Sequence, residues 1–313
     1  MYFENIIGQE FAKKYITNAI DKNMLNNAYI FEGIKGIGKK TFAREMARIL
    51  IGMSPENSLD FNVISGDENT GRIKIEKIRK MKAGVYEKPE SDYKIYVIEG
   101  AHLMTEEAQN AILKTIEEPP SYAIFILIAE NREMLLGTIK SRCDIVRFLP
   151  LPVRDVKNYL KENFDIDEKK SSVCASFSKG SITKAKELLE DEHFKEMRED
   201  IQDFIETISS KNKIKIEFLA DNSEKYEKDI MDFLDVMMNC FRDIIISKEG
   251  LKSSMITNTD RKTFIENMSY KFTCSQLSAI IDIIEETRVK LIGFCNFRMS
   301  IQVMFLNIYE VIK

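Results

Sequence analysis

Residues 33 to 41 read Gly33-Ile-Lys-Gly-Ile-Gly-Lys-Lys-Thr41. Before them lies a short apolar run, Ala28 to Glu32, and after them Phe42, Ala43, Met46, Ala47 and Leu50 recur at helical spacing. A glycine-rich turn between a buried strand and a helix surrounds a nucleotide's phosphates with backbone N–H groups and a positive helix end. Gly33, Gly36, Gly38, Lys39 and Thr41 are therefore the candidate phosphate-binding residues. Gly33 and Gly38 supply backbone freedom, and Lys39 stands where an ammonium reaches the outer phosphates. One position breaks the pattern. The residue after the lysine should carry a hydroxyl that ligates Mg²⁺, and here it is Lys40, which can neither coordinate a cation nor tolerate one nearby.

The end of the next central strand breaks it again. Lys94-Ile-Tyr-Val-Ile-Glu-Gly100 reads as a strand, and nucleotide hydrolases with such a loop place an Asp there to hold Mg²⁺ through water. The ATPases among them follow it with a Glu that activates the attacking water. Glu99 and Gly100 occupy these positions, so the first acid is one methylene too long and the second is missing. A positioned base contributes about 10²- to 10⁴-fold to rate, so Gly100 alone cripples hydrolysis. Lys40, Glu99 and Gly100 together mark a dismantled metal site.

The whole chain sets limits on this. Its 313 residues suffice for two or three domains, and 44% hydrophobic with 31% charged residues is ordinary for a globular protein. The longest apolar run, Tyr122 to Ala129, is far short of the roughly 20 residues needed to cross a bilayer. No membrane contact is expected, and the N-terminus lacks a basic segment leading into an apolar one, so a cytoplasmic location is expected. The five cysteines, at 143, 174, 240, 274 and 295, lack CxxC spacing and read as buried thiols. With 46 basic and 50 acidic residues the net charge is −4, which opposes broad binding of nucleic acid by counterion release.

In chain order, Ile6-Ile-Gly-Gln-Glu10 leads into a helix on which Phe11, Ala12, Tyr15, Ile16, Ala19 and Ile20 share a face. A second strand is expected over Asp60 to Ile64, a polar turn over Gly66 to Gly71, and a helix near Ile75 to Val85 with Ile75, Ile78 and Val85 inward. That helix and its approach carry Arg72, Lys74, Lys77, Arg79, Lys80 and Lys82, which either follow a nucleic-acid backbone or form a solvated face. Thr105 begins a helix with Glu106 and Glu107 in its first turn, stopped by Pro119-Pro120. Ala123 to Ala129 is a strand covered on both faces, and Asp144 to Leu149 a fifth strand. Leu149-Pro-Leu-Pro152 marks a domain boundary. Helices are expected at about 153–163, 168–177 and 182–189, with Lys211 to Glu217 lying between helices and only long amphipathic patterns beyond about Asp191.

Gln9, the loop from Gly33 to Thr41, the run Ala108-Gln-Asn-Ala-Ile-Leu-Lys-Thr-Ile-Glu-Glu-Pro-Pro120 and the triplet Ser141-Arg-Cys143 together resemble the clamp-loader branch of the AAA+ ATPases. The Glu-Glu-Pro-Pro helix and the Ser-Arg-Cys triplet are specific to that branch. Within it, the chain resembles members whose nucleotide site is degenerate while Ser-Arg-Cys survives. The resemblance implies a RecA-like α/β domain with a parallel five-stranded sheet over residues 1–150, a small helical lid over 151–205 and an all-α collar over 206–313. It implies that Arg142 acts in trans, reaching the γ-phosphate of ATP, with its Mg²⁺, held by a neighbouring subunit. A guanidinium offers a planar fork of donors to phosphoryl oxygens. On the residues alone, Arg142 could equally pair with Asp144.

Departures from the family pattern are instructive. Asn131 stands near the position of a phosphate sensor, Thr183 and Lys184 stand where a lid arginine follows Gly-Ser, and residues 51–60 lack the four-cysteine zinc module of many relatives, so no zinc is expected. Weak ATP or ADP binding remains open, since Lys39 is present and Lys40 could stand in for metal charge. The implied partners are the gamma/tau-type and delta-type subunits of a DNA polymerase III loader, the sliding clamp and primed DNA. The alternatives are an active ATPase subunit of such a loader and a free nucleotide-responsive adaptor.

Overall fold

Five short runs rich in Ile, Val and Phe pair into one parallel sheet in the computed structural model, which describes residues 2–67, 70–251 and 255–313, leaving aside the side chains of 213–217. The strands are β1 (Ala28–Glu32), β2 (Phe61–Ile64), β3 (Lys94–Glu99), β4 (Ala123–Ala129) and β5 (Asp144–Arg147), in the order β2-β3-β4-β1-β5. Alternation along each strand divides the core in two. Tyr29, Phe31, Ile95, Val97, Ile124 and Ile126 face α1 (Glu10–Asp21) and α2 (Lys39–Ile51), where Ala12, Ile16, Phe42 and Met46 are buried. Ile30, Tyr96, Ile98, Phe125 and Leu127 face α3 (Ile75–Val85) and α4 (Glu106–Glu117). Every residue of β4 is buried, as expected of a central strand covered on both sides. Each such Ile or Phe contributes about 1.5–3 kcal/mol on burial. The start of α4 is fixed by the Thr105 hydroxyl, which accepts from the N–H of Ala108 at 3.3 Å.

Three local expectations are corrected. On α1 only Ala12 and Ile16 are buried, while Phe11 and Tyr15 are exposed and stack on each other at 6.1 Å. Residues 11 and 15 form the neighbouring column of the helix, and Tyr15 is held outward because its hydroxyl donates to Asp144 at 2.6 Å. On α3, Met81 takes the core position and Ile75 is half-buried. Strand β5 ends at Arg147 rather than at Leu149, because the backbone of Leu149 is claimed by a side chain. Gln9 donates to its carbonyl at 2.8 Å and accepts from its N–H at 3.0 Å. Of the polar turn expected at 66–71, residues 68 and 69 lie outside the described residues.

Packing groups residues 1–158 with 178–184 in one unit, and 159–177 with 185–313 in another. The division expected from the sequence, at 150 and 205, cuts the chain elsewhere. The return of 178–184 to the first unit is fixed by Gly180, whose carbonyl accepts from Leu151 N at 3.1 Å with φ at +81°. A Cβ there would lie 2.6 Å from the backbone nitrogen of Leu151.

Among the described residues the second unit is helical. It holds α7 (Glu168–Phe177), α9 (Glu192–Ser209), α10 (Lys213–Asn222), α11 (Ile230–Lys248), α12 (Lys262–Ser269), α13 (Cys274–Ile292) and α14 (Phe297–Ile312), while α6 (Val153–Asn163) and α8 (Ile182–Glu190) run across the division. Phe204, Phe233 and Phe305 meet edge to face in its core. The stretch from Lys211 to Glu217 is not a connector throughout. Helix α10 begins at Lys213, with Lys211 alone in the left-handed region at φ 56°, and no Gly or Pro interrupts the segment. The cysteines are also corrected. Cys174 and Cys240 are buried, but Cys274 and Cys295 are exposed beside helix ends, where polar neighbours replace core.

Gly52 caps α2 at φ +81° with open space around it, so Gly52→Ala costs only backbone strain, about 1 kcal/mol. Gly180→Ala adds overlap with the Leu151 backbone and is expected to cost at least about twice as much. Urea unfolding of the two variants measures this, and equal losses would contradict the packing described.

Candidate nucleotide site

The ends of β1, β4 and β3 lie side by side, with Glu32 opposite Ala129 and Ile128 opposite Glu99, so residues that follow these strands collect at one edge. The loop leaves β1 through Gly33, whose N–H donates to Ala129 at 3.1 Å, and enters α2 at Gly38, in the left-handed region at φ 98°. A cavity of about 540 Å³ opens here, lined by Gly36, Gly38, Lys39, Lys40 and Thr41, by Glu99, Gly100 and His102, and by Glu130 and Thr183. All the loop positions singled out in the sequence except Gly33 line it. Gly33 serves instead as the tight exit from the strand, since a Cβ there would lie 2.5 Å from the Phe148 carbonyl oxygen.

Lys39 is buried and turned onto its own loop, donating to the carbonyl oxygens of Gly33 and, at 2.7 Å, Ile34. Burial pushes its ammonium down to about 8, against the pull of Glu130. The loop is also backed by the returning segment. Thr183 N–H faces the Gly36 carbonyl at 3.4 Å, and a Cβ at Gly36 would overlap the Ser181 hydroxyl.

Lys40 and Glu99 meet. The ammonium lies 2.7 Å from Oε1 of Glu99 but off the hydrogen-bonding directions of that otherwise unpartnered oxygen, an ion contact rather than a directed hydrogen bond. The half-exposed lysine and the largely covered acid stand at the two sequence positions where a phosphate-loop pattern expects metal ligands. A cation brought to the carboxylate would face the ammonium at roughly 4 kcal/mol of repulsion per unit charge. These side chains do not fit Mg²⁺. Among the described residues, no cluster of three His, Cys, Asp or Glu side chains could hold a metal ion.

Gly100 is bound up with the backbone. At φ 73° and ψ 40° it opens a 3-10 turn over Ala101–Leu103, a conformation that strains any residue with a Cβ. A glutamate there would need a different turn as well as a different side chain. Two lining residues escape sequence reasoning, His102 and Glu130. The Nδ1 of His102 accepts from the N–H of Glu130 at 3.3 Å, and burial outweighs Glu130 in holding the imidazole below its ordinary range, with Lys39 adding to the effect. Only their place just after β3 and β4 signals them. The Asn131 side chain accepts from Glu133 N–H at 2.9 Å and caps the turn Arg132–Met134.

Arg142 lies outside the loop cavity, exposed after α5 (Gly137–Lys140). It does not pair with Asp144, whose carboxylate is taken by Tyr15 and Asn26. Instead its guanidinium meets Glu117 and donates to the Thr138 carbonyl at 2.8 Å. Glu117 opens the Glu-Glu-Pro-Pro run, so the two most specific motifs of the sequence touch. Gln109 of α4 supports them from beneath, donating to the carbonyls of Met104 and Met134 and accepting from Leu136 N–H at 2.8 Å. The Cys143 thiol is pushed up to about 12 by burial, which leaves it a packing residue.

Of the six cations around α3, two are tethers. Lys77 donates to the carbonyls of Ser65 and Gly66, and Lys82 to that of Ala111 at 3.1 Å. Arg72, Lys74, Arg79 and Lys80 are exposed.

With this geometry in place, comparison with known proteins is informative. Residues 8–152 match the family described as DNA polymerase III, delta subunit. Over 209 residues the chain is 32% identical to the DNA polymerase III subunit gamma of Buchnera aphidicola subsp. Schizaphis graminum, covering 60% of this chain and 57% of that protein. Over these stretches the chain is similar to clamp-loader subunits of DNA polymerase III. A tau/gamma subunit from Haemophilus influenzae is 29% identical over 58% of this chain and 29% of its own length. The chain thus spans little more than half the length of the first of these curated relatives, and less of the second. Among solved structures, a gamma subunit-related protein of Thermotoga maritima matches over 96% of this chain and 99% of its own, at 17% identity and a TM-score of 0.44. The Bacillus subtilis clamp loader delta protein matches over 95% and 99%, at 14% and 0.35. Among the described residues no helix is long and apolar enough to cross a membrane.

The buried ammonium of Lys39 gives the protein a pH signature. Below about 8 it is charged folded and unfolded, and the fold bears the full cost of burial. Between about 8 and its ordinary 10.5 the folded chain releases the proton first, so wild type gains stability relative to Lys39→Met as pH rises. Urea unfolding of both proteins across this window reads the slope, and a difference that does not change with pH contradicts the burial.

Proposed function

We propose that this chain is a delta-prime-like subunit of a bacterial DNA polymerase III clamp loader, one that does not hydrolyse ATP itself and supplies Arg142 to a neighbouring subunit's ATP. The observation that carries this is the contact of Lys40 with Glu99, which puts an ammonium where a hydrolysing subunit needs a metal. Gly100 in a left-handed turn removes the second acid and the backbone that would present it. Arg142 supports the second half, exposed yet aligned by Glu117 and Thr138, with Gln109 holding the segment that leads to it. A ready guanidinium on a rigid mount is what a finger in trans requires, and such fingers are worth about 10³ to 10⁵ in rate at the site they complete.

The helical C-terminal region would then form the ring contact with gamma/tau-type and delta-type subunits, and the assembly would place the sliding clamp on primed DNA. The exposed cations near α3 would meet that DNA through the complex. Nucleotide, if it binds the loop, would be held without turnover.

A second reading has one specific observation in its favour, the 32% identity to a subunit named gamma. In that case the chain itself would be an ATPase. Incubating the purified chain with ATP and Mg²⁺ separates the two: the proposal expects no turnover above background, and turnover lost in Lys39→Ala would establish the second reading. In a reconstituted loader, Arg142→Ala is expected to leave assembly intact and to lower DNA-stimulated hydrolysis strongly. Unchanged hydrolysis by an intact assembly would remove the finger from the account.

A further inference from the structure

A second cavity, of about 320 Å³, lies wholly within the helical unit and has no part in the loop site. Its size is at the low end of the range for small ligands, about 300–1,000 Å³. The wall carries Lys169, Lys170, Lys195, Arg198 and Arg261 against Asp167, Glu199 and Asp260. Several of these charges are already committed. Lys195 pairs with Glu192, and Asp167 accepts from Lys170 N–H at 2.6 Å, capping the start of α7.

Arg198 is the unusual member. It is 7% exposed, lies beside the rings of Phe177 and Phe194, and forks onto Asp260 at 3.0 and 2.8 Å, with Nη2 also donating to Asn258 at 3.0 Å. Its Nε–H is buried and has no partner. A buried donor left unmade is costly, and more so on a charged group. Arg261 stands against the same residue, donating to the Arg198 carbonyl. Burial pushes its guanidinium down from its ordinary range, and the charge of Arg198 adds to this. Asp260 is held by Arg198, and Arg261 stands beside it on the Arg198 carbonyl, so two guanidiniums lie close together around one bonded carboxylate. The arrangement is short of negative charge and of one acceptor.

We infer that this cavity is an anion site for a phosphoryl group, free phosphate or diphosphate or the phosphate tail of a nucleotide, received by the Nε–H of Arg198 with Arg261, Lys169 and Lys170 around it. Tetrahedral oxyanions suit such a set, because several donors can approach different oxygens and charge-assisted hydrogen bonds are the strong ones. The site is independent of the proposal for Arg142 and of the loop.

Methyl NMR of the full chain tests it, with Val173 and Leu188 on the cavity wall as reporters and phosphate, pyrophosphate and ADP as probes. Saturable shifts at these methyls are expected, retained in Lys39→Ala and weakened by about tenfold or more in Lys169→Ala/Lys170→Ala, whose side chains are exposed and do not support the fold. Arg261→Gln is expected to weaken binding likewise. Equal affinity for pyrophosphate and ADP would identify a free anion as the source, and tighter binding of ADP a nucleotide. Absence of saturable shifts with all three probes at millimolar concentration, or shifts unchanged in both cavity variants, would overturn the assignment.

Discussion

An ammonium and a carboxylate 2.7 Å apart, Lys40 and Glu99, set the character of the pocket at the end of this molecule's sheet. The sheet makes the meeting unavoidable. Strands β1 and β3 flank β4 in register, so the second residue of α2 and the acid that closes β3 converge on one edge, whatever their types. In a pocket built for metal that convergence would gather a hydroxyl and a carboxylate. Here it gathers a charge pair that offsets the charge of the acid and repels a cation. The neighbouring backbone follows suit, because Gly100 turns left-handed immediately after Glu99 and leaves no ordinary place for a second acid.

The rest of the first unit holds this edge firm. Gln9 closes the far side of the loop by bonding both backbone groups of Leu149 and reaching the carbonyl of Ile37. Gly180 brings Ser181 and Thr183 onto Gly36. On the other side of the sheet, Gln109 and Glu117 of α4 organise the segment that ends in Arg142. One sheet therefore carries two differently prepared cationic places: a lysine folded into its own loop, and an arginine left exposed on a fixed mount.

How much of this the sequence reveals depends on the range of the interaction concerned. The strands, α2 and α4 are legible because their signals are local: an unbroken apolar run in β4, Thr105 before two acids, prolines after Glu118. The positions of the metal defect are legible for the same reason, since Lys40 and Gly100 each break a short pattern. That Lys40 and Glu99 touch is not, because 59 residues separate them and only the sheet joins them. Helix α1 shows the limit at close range, where spacing admits two adjacent columns and the bond from Tyr15 to Asp144 selects which faces out. Arg142 joining Glu117 rather than Asp144 is likewise a choice among nearby acids that tertiary geometry makes. The buried set around Arg198 joins residues some 60 positions apart and leaves no periodic trace at all.

The most direct measurement is a titration of the purified chain with a non-hydrolysable ATP analogue, with and without Mg²⁺, followed by calorimetry. If Lys40 occupies the place of the metal, whatever affinity the loop has for nucleotide is the same with magnesium and with chelator. A marked tightening of binding when magnesium is supplied would mean that the ion enters beside Glu99, and the account of a metal-free pocket would be wrong.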